Sequence, residues 1–268
     1  MKVVLFSIGD FHVHSYGTIV ALAVLLAWGV AHYLSAGTPY REHLDRLAVY
    51  LIVGALVFAR AWHVFFFQWA YYSKHLHEIA YIWQGGIAIQ GALIGGMAAM
   101  FVYTRKYRIS FWGMADVLAP AAVLGQAIGR IACFLNGDAY GSPTGSGFGI
   151  VYPEGTMAYA EYGAQPLWPA EVWEGQWDMI VFVLLLLLKS RRMPAGALFL
   201  AYNMLYSTGR FMLEMLRGDS PRYLFSWTAG QWTSFGVFAA SLILLGVLAL
   251  RNRRVGEGLA QDKSVRAG

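Results

Sequence analysis

Residues 115–141 read ADVLAPAAVLGQAIGRIACFLNGDAYG, a long apolar run that carries one arginine, Arg130, near its end. An arginine at the centre of a membrane helix costs about 2.5–3.5 kcal/mol on insertion scales. Arg60 and Arg210 interrupt other apolar segments, so three unpaired guanidiniums would cost roughly 8–10 kcal/mol. A guanidinium grips a carboxylate or a phosphate through two parallel hydrogen bonds. The sequence therefore predicts a membrane protein with an anion-binding interior.

The composition favours the same class. Hydrophobic residues make up 58% of the chain and charged residues only 13%, which is unusual for a soluble domain. The fifth apolar segment is shorter than the roughly 20 residues that a bilayer requires, so we expect residues 168–177 to extend it. We predict an all-α polytopic membrane protein with about seven transmembrane helices, six or eight being the alternatives. The predicted spans are 16–35, 47–67, 87–103, 112–136, 178–189, 196–216 and 230–250.

Basic residues predict the orientation. With the N-terminus outside, the loops after odd-numbered spans and the C-terminal tail hold most of the lysines and arginines, whereas Lys2, Lys74, Arg217 and Arg222 lie on the other side. Cytoplasmic loops are enriched in Lys and Arg, so the N-terminus is expected outside and the C-terminus in the cytoplasm. Anionic lipid headgroups explain the net charge of +5 better than nucleic acid does.

The chain shows no repeat, soluble domain or long linker. We expect one transmembrane domain over residues 1–255, with a loop-rich external cap at about 137–166, and a disordered cytoplasmic tail over 256–268. The N-terminal residues lack the apolar core and cleavage site of a signal peptide, so none is expected. The single cysteine excludes an internal disulfide, and the buried acids do not cluster, so neither a metal nor a cofactor is expected.

Arg210 and Glu214 lie four residues apart in the sixth span, and Arg217 is expected one turn further along the same face. Glu214 is the one acidic partner of the membrane arginines that is evident from the sequence. An ion pair within one helix makes both charges tolerable. Glu214 could also orient Arg210 while the guanidinium keeps donors free for a ligand, and the two interpretations are compatible.

Other polar residues have a structural interpretation beside a functional one. The glycines of residues 85–96 favour close helix packing or the approach of a lipid headgroup, and Gln90 needs partners for its donor and its acceptor. Tyr16 lies where the first span meets the outer interface, a position typical of anchoring tyrosines. Arg60 belongs to the anion-binding set or extends toward an interface.

Two further residues near the fourth span have structural explanations. Asp116 caps that helix or pairs with Arg108. Cys133, one turn after Arg130, has the character of a small buried apolar residue more than that of a nucleophile.

The order of these segments resembles the bacterial phosphatidylglycerol–prolipoprotein diacylglyceryl transferase family. Its signature runs Gly-Arg, two residues, Asn-Phe, one residue, Asn, one residue, Glu, two residues, Gly. The residues that match it here are Gly129, Arg130, Phe134, Asn136 and Gly141. Further co-linear matches are Phe6–Gly9, Tyr16-Gly17, Arg60, Gly85-Gly86, Pro169, Glu174, Arg210, Glu214, Arg217–Asp219 and Gln231-Trp232.

Three positions depart from the family pattern. Gln90 stands where the family has a functionally important histidine, Cys133 replaces the first asparagine and Asp138 replaces the glutamate. Losing the histidine removes a natural proton acceptor. It leaves open a slower enzyme, an enzyme with a different base, or a paralogue that binds or transports lipid without turning it over. A channel or ion-coupled transporter is a more distant alternative.

The resemblance implies a multi-pass enzyme of the bacterial cytoplasmic (inner) membrane. It would transfer diacylglycerol from phosphatidylglycerol to the lipobox cysteine in the signal peptide of a prolipoprotein, forming a thioether and releasing glycerol-1-phosphate. The implied catalytic residues are Arg130, Arg210, Gln90 and Tyr16. The implied substrate-binding residues are Arg130, Arg210, Glu214, Asn136, Asp138, Gly141, Arg60 and Arg217.

Overall fold

The computed structural model describes residues 1, 4–8, 11–191 and 193–266, and most of them are helical. Two short antiparallel strands precede the first helix. They are a departure from the predicted all-α fold, and Val4, Phe6 and Val13 are β-branched or aromatic residues that favour strands. The main elements are β1 (Val4–Ile8), β2 (Phe11–His14), α1 (Ser15–Leu34), α2 (Leu44–Trp62), α3 (Trp69–Tyr72), α4 (Ile89–Lys106), α5 (Phe111–Asn136), α6 (Met157–Tyr162), α7 (Ala170–Lys189), α8 (Ala197–Leu213) and α9 (Ala229–Arg266).

Each predicted span overlaps one of the longer helices. Helix α7, which corresponds to the fifth predicted span, begins at Ala170. This confirms that the helix extends the short apolar segment on its N-terminal side. Within the described residues, four segments are long and apolar enough to cross a membrane: Ser15–Leu34, Arg41–Phe67, Phe111–Asn136 and Ala229–Leu250.

The other three helices are less apolar or shorter, for local reasons. Helix α4 holds Gln90 near its start and two basic residues in its last turn. Helix α7 carries Glu171, Glu174 and Asp178, and α8 has only 17 residues. The three acidic residues of α7 lie on buried positions, so they reduce its hydropathy without facing outward.

The chain forms two compact units, Met1–Ala31 with Ala115–Gly268, and His32–Met114. In the second unit α2 packs against α4 at small residues. A Cβ on Gly95 would lie 2.6 Å from Phe58 Cβ and would overlap the main chain of Gly54, whereas the neighbouring Gly96 has open space around it. Close packing therefore explains part of the glycine-rich segment, as predicted.

In the first unit α8 packs against both α7 and α9. Residues 137–166 are mostly loop, with the short helix α6, which confirms the loop-rich character of this segment. Leu167 bridges to Pro143 and Ile150, and Tyr140, Tyr152, Ala158 and Leu167 form a small core beneath these loops.

Helix α9 extends to Arg266 without a break at residue 255. The predicted disordered tail of 256–268 stays a prediction, and its last two residues lie outside the described ranges.

Candidate active site

Arg130 of α5 and Arg210 of α8 contact one carboxylate, that of Glu174 on α7. Arg130 Nη2 contacts Oε2, and Arg210 Nη1 contacts Oε1. The Glu174 side chain is 3% exposed and the two arginine side chains are 18% and 19% exposed. Close ion pairs of this kind hold buried charges in a defined geometry. The expectation that Glu214 is the one acidic partner of these arginines is therefore wrong.

Glu214 pairs with Arg210, as the spacing of four residues predicts. Arg210 Nη2 lies 2.6 Å from Glu214 Oε2. Glu214 is buried, and its Oε1 accepts a hydrogen bond from Thr228 Oγ1 at 2.9 Å. Because Thr228 directly precedes α9, this carboxylate joins the end of α8 to the start of the next helix.

Arg217 reaches the same cluster by a route that the sequence did not predict. Helix α8 ends at Leu213, and Arg217 follows a short 3₁₀ turn in an extended conformation, so the expectation that it continues one helical face is wrong. Its Nη1 lies 3.4 Å from Glu174 Oε1, and its Nε donates to Asp219 Oδ1 at 2.6 Å. Burial lowers the pKa of Arg217, but the hydrogen bond to Asp219 and the charge of Glu174 outweigh it, so the pKa is raised.

Arg130 and Arg210 line one pocket. Glu174 and Asp178 of α7 contribute carboxylates to its wall, and Tyr206 of α8 contributes a phenol. The apolar part of the lining is Trp177, Gly209 and Leu213. The two arginines thus share one cavity, as an anion-binding interior requires.

Residues 3–247 match the family model described as prolipoprotein diacylglyceryl transferase. A phosphatidylglycerol–prolipoprotein diacylglyceryl transferase of Geobacillus kaustophilus is 37% identical over 241 residues, 88% of each chain. Enzymes of the same name from Acaryochloris marina and Trichormus variabilis are 37% and 39% identical, over 81% of this chain and 80% and 79% of theirs. This chain belongs to the prolipoprotein diacylglyceryl transferase family.

The signature residues of this family member lie at the C-terminal end of α5. Asn136 Nδ2 donates to Asp138 Oδ2 at 2.6 Å, and the Cys133 side chain lies near Asp138. The hydrogen bond from Asn136 thus orients the Asp138 carboxylate. Tyr16, at the start of α1, is 44% exposed and lies near Arg130 and Asp138. Four of the predicted site residues therefore lie near one another, namely Tyr16, Arg130, Asn136 and Asp138.

Gly141 has a packing role in the structure. Its N–H donates to Trp168 O at 3.1 Å, and a Cβ would overlap the Trp168 main chain. Gly141 also bridges to Arg217. The family glycine therefore lets the cap pack closely against the segment before α7 at Trp168, and its predicted role in substrate binding stays a prediction.

Gln90 is the second residue of α4, in the unit formed by His32–Met114. It is exposed, and no side-chain hydrogen bond to it is found among the described residues. The expectation of partners on its donor and acceptor sides is therefore not met within the described residues. An exposed amide of this kind can still hydrogen-bond a ligand.

Arg60 lies in the same unit and is 5% exposed. It donates to Glu78 O at 2.7 Å, Ile79 O at 2.8 Å, Gly85 O at 2.7 Å and Gly86 O at 3.0 Å. The guanidinium is therefore buried and bound by main-chain carbonyls, and both its place in the anion-binding set and its extension toward an interface stay predictions. Gly85 and Gly86 have positive φ, a conformation that glycine adopts readily, and this conformation presents their carbonyls to Arg60.

Three acids have roles that the sequence analysis missed or misplaced. Asp116 accepts hydrogen bonds from Gly196 N at 2.7 Å and Phe199 N at 2.8 Å. It therefore caps α8, and both the cap on its own helix and the pairing with Arg108 are wrong. Glu174 was noted only through the resemblance, and Asp178 was not singled out. Their spacing of four residues in an apolar helix is the signal that could have placed both on one face.

Proposed function

We propose that this protein transfers the diacylglyceryl group of phosphatidylglycerol to the cysteine thiol of a prolipoprotein lipobox. The products are a thioether on the precursor and glycerol-1-phosphate. The observation that carries the proposal is the pocket with two arginines, in a chain that matches the family over residues 3–247.

The pocket suits a phosphate leaving group. The ion pairs with Glu174 and Glu214 use Arg130 Nη2 and both terminal nitrogens of Arg210, so Arg130 Nη1 has no carboxylate partner among the described residues. Preorganised cationic donors at a site where charge develops accelerate such reactions. The nucleophile comes from the substrate, which explains how the reaction proceeds without a catalytic serine or cysteine of this chain.

The proton balance of the reaction is simple. The thiol sulfur forms a bond to the diacylglycerol carbon that carries the phosphate. The bond between this carbon and the phosphate oxygen breaks, and its electron pair stays on that oxygen, which leaves as part of glycerol-1-phosphate. The thiol proton passes to a phosphate oxygen, to Asp138, or to His14 if the N-terminal segment folds inward. A free thiol has a pKa of about 8.5, so it needs only modest activation.

For the membrane arrangement we propose seven spans, with the N-terminus outside and the C-terminus in the cytoplasm of a bacterial inner membrane. Four apolar segments of sufficient length support it, together with the coincidence of α4, α7 and α8 with the other predicted spans. The asymmetry of basic loops supports the orientation. In this arrangement the cap of 137–166 and the outer end of the arginine pocket face secreted precursors.

The test is transfer by the purified protein. Incubation with phosphatidylglycerol and a lipobox peptide should produce a peptide whose mass has increased by one diacylglyceryl group on cysteine. A matched peptide with serine in place of the cysteine should stay unmodified. Modification of the serine peptide, or release of glycerol-1-phosphate without any adduct, would count against thioether transfer.

A second candidate is a family member that binds lipid without turning it over. The exposed amide of Gln90 favours it, since an amide cannot take a proton at neutral pH. Lipid that co-purifies with the protein, with no peptide adduct at any pH, would support this candidate over the enzyme.

A further inference from the structure

Asp178 is a second carboxylate on the wall of the arginine pocket. It lies on α7 one turn after Glu174 and is 2% exposed. It lines the same pocket as Arg130 and Arg210. Its Oδ2 is buried and has no hydrogen-bond partner among the described residues. A buried oxygen without a donor is costly to maintain, so the donor that satisfies it is expected from outside the chain.

Asp178 takes no part in the ion pairs that the arginines of this site form with the described residues. Arg130, Arg210 and Arg217 are paired with Glu174, Glu214 and Asp219. Asp178 is a fourth carboxylate, and it forms no ion pair within the described part of the chain. The charged and titratable groups that face it across the pocket are Arg130 from α5, Glu174 from its own helix, and Tyr206 and Arg210 from α8.

The chemistry of the missing donor follows from these neighbours. A phosphate oxygen cannot supply a hydrogen bond unless it is protonated, and an ammonium group would lie beside two guanidiniums of like charge. A hydroxyl group supplies a donor without adding a charge. On this basis the occupant carries an anionic group for the arginines and a neutral hydroxyl for Asp178.

We propose that Asp178 determines headgroup specificity by accepting a hydrogen bond from a hydroxyl of the glycerol headgroup, whose phosphate lies on Arg130 and Arg210. This inference rests on the proposed function, because it assigns the headgroup orientation at the same site. It makes the free glycerol hydroxyls, as well as the phosphate, part of what the pocket recognises.

The test compares two lipids with the same acyl chains and the same phosphate charge. Phosphatidylglycerol has headgroup hydroxyls and phosphatidylpropanol has none. The wild-type protein should transfer from phosphatidylglycerol at least about tenfold faster, which is the effect of one hydrogen bond to a charged group. Asp178→Leu should bring the ratio of the two rates close to one. Asp178→Asn, which keeps an acceptor oxygen and the side-chain shape, should keep part of the preference.

Glu171→Gln is the matched control. Glu171 lies on the same helix, is fully buried and also has an unpartnered carboxylate oxygen. Its other oxygen accepts from Tyr152, and it is not part of the pocket lining. Glu171→Gln should therefore keep the wild-type ratio of rates. The proposal would be overturned if Asp178→Leu and Asp178→Asn lowered the transfer rate equally with both lipids. It would also be overturned if the wild-type protein transferred faster from phosphatidylethanolamine than from phosphatidylglycerol.

A binding measurement separates this proposal from the proposed function. Calorimetry with glycerol-1-phosphate and n-propyl phosphate needs no turnover. Wild-type protein should bind glycerol-1-phosphate at least about tenfold more tightly, and Asp178→Leu should lose that difference. Absence of transfer together with this binding preference would remove the proposed function and keep the hydroxyl site. Equal binding of both phosphates by the wild type, or no binding of either, would remove the hydroxyl site.

Discussion

At the scale of single residues, Glu174 decides where two membrane arginines meet. Breaking a buried ion pair by removing one partner costs about 3–5 kcal/mol, because it leaves a charge uncompensated. Glu174 therefore makes Arg130 and Arg210 tolerable and also fixes the distance between them. The same geometry leaves nitrogens of Arg130 for a ligand, so one carboxylate serves both stability and the proposed chemistry.

We predict that Arg130→Ala and Arg130→Lys both lower the transfer rate by about 10²–10³-fold, the effect of removing one preorganised donor from an oxyanion site. Lysine should rescue poorly, since it cannot form the bidentate fork. Adduct formation measured by mass spectrometry gives the rate, and thermal unfolding in detergent checks folding. Arg222→Lys is the control, because Arg222 is exposed and does not line the pocket. Full activity in Arg130→Lys would contradict phosphate binding at this position.

We predict that the transfer rate of the wild-type protein rises with pH toward the thiol pKa of about 8.5, because an unaided thiol supplies more thiolate as the pH rises. Gln90→His should raise the rate near pH 7 and flatten this rise, because imidazole accepts a proton in that range. Rates of adduct formation at a series of pH values measure both effects. A fully active Gln90→Ala together with an unchanged Gln90→His would make Gln90 a packing residue.

At the scale of helices, close contacts between main chains position the elements. Helix α4 approaches α2 where Gly95 meets Gly54 and Phe58. Glu214 and Thr228 join the end of α8 to the start of α9, and Asp116 caps the start of α8. Each contact fixes the height of one helix relative to its neighbour, which a helical repeat alone does not specify.

We predict that Gly95→Ala destabilises the protein by about 1–3 kcal/mol, because the added methyl group overlaps the facing helix. Gly96→Ala is the matched control on the next residue. It has open space and should be neutral or stabilising by up to about 1 kcal/mol, the difference in helix propensity. Thermal unfolding in one detergent compares the two variants. Equal stability of both variants would contradict the close packing of α2 and α4.

At the scale of the whole molecule, the prediction concerns topology. A reporter enzyme that is active only outside the cytoplasm should give signal when fused after Gly147 in the cap, and none when fused after Lys106. The physical reason is the concentration of basic residues in the loop around Lys106, which opposes its translocation. A cytoplasmic reporter at the same two positions should give the opposite pattern. Signal from both reporter types at one site would contradict a single orientation.

The helices could be predicted because their signal is local. Continuous apolar segments identify a helix wherever its neighbours lie, so the seven predicted spans overlap seven helices. The pair of Arg210 and Glu214 also follows from spacing within one helix. The change of direction after Leu213 was missed, because a short 3₁₀ turn leaves little mark on hydropathy. Arg217 therefore does not lie on the face of α8 on which it was expected.

The sequence by itself determined the membrane class, the helices and the family, because apolar length, charge distribution and co-linear motifs are properties of the chain in order. Only the tertiary structure decided which groups face each other. Glu174 meets arginines that lie 44 and 36 residues away along the chain. Asp178 lines the same pocket, and its Oδ2 has no hydrogen-bond partner in the described part of the chain. These contacts depend on the rotation and height of packed helices, which follow from contacts such as that of Asp116 with the start of α8.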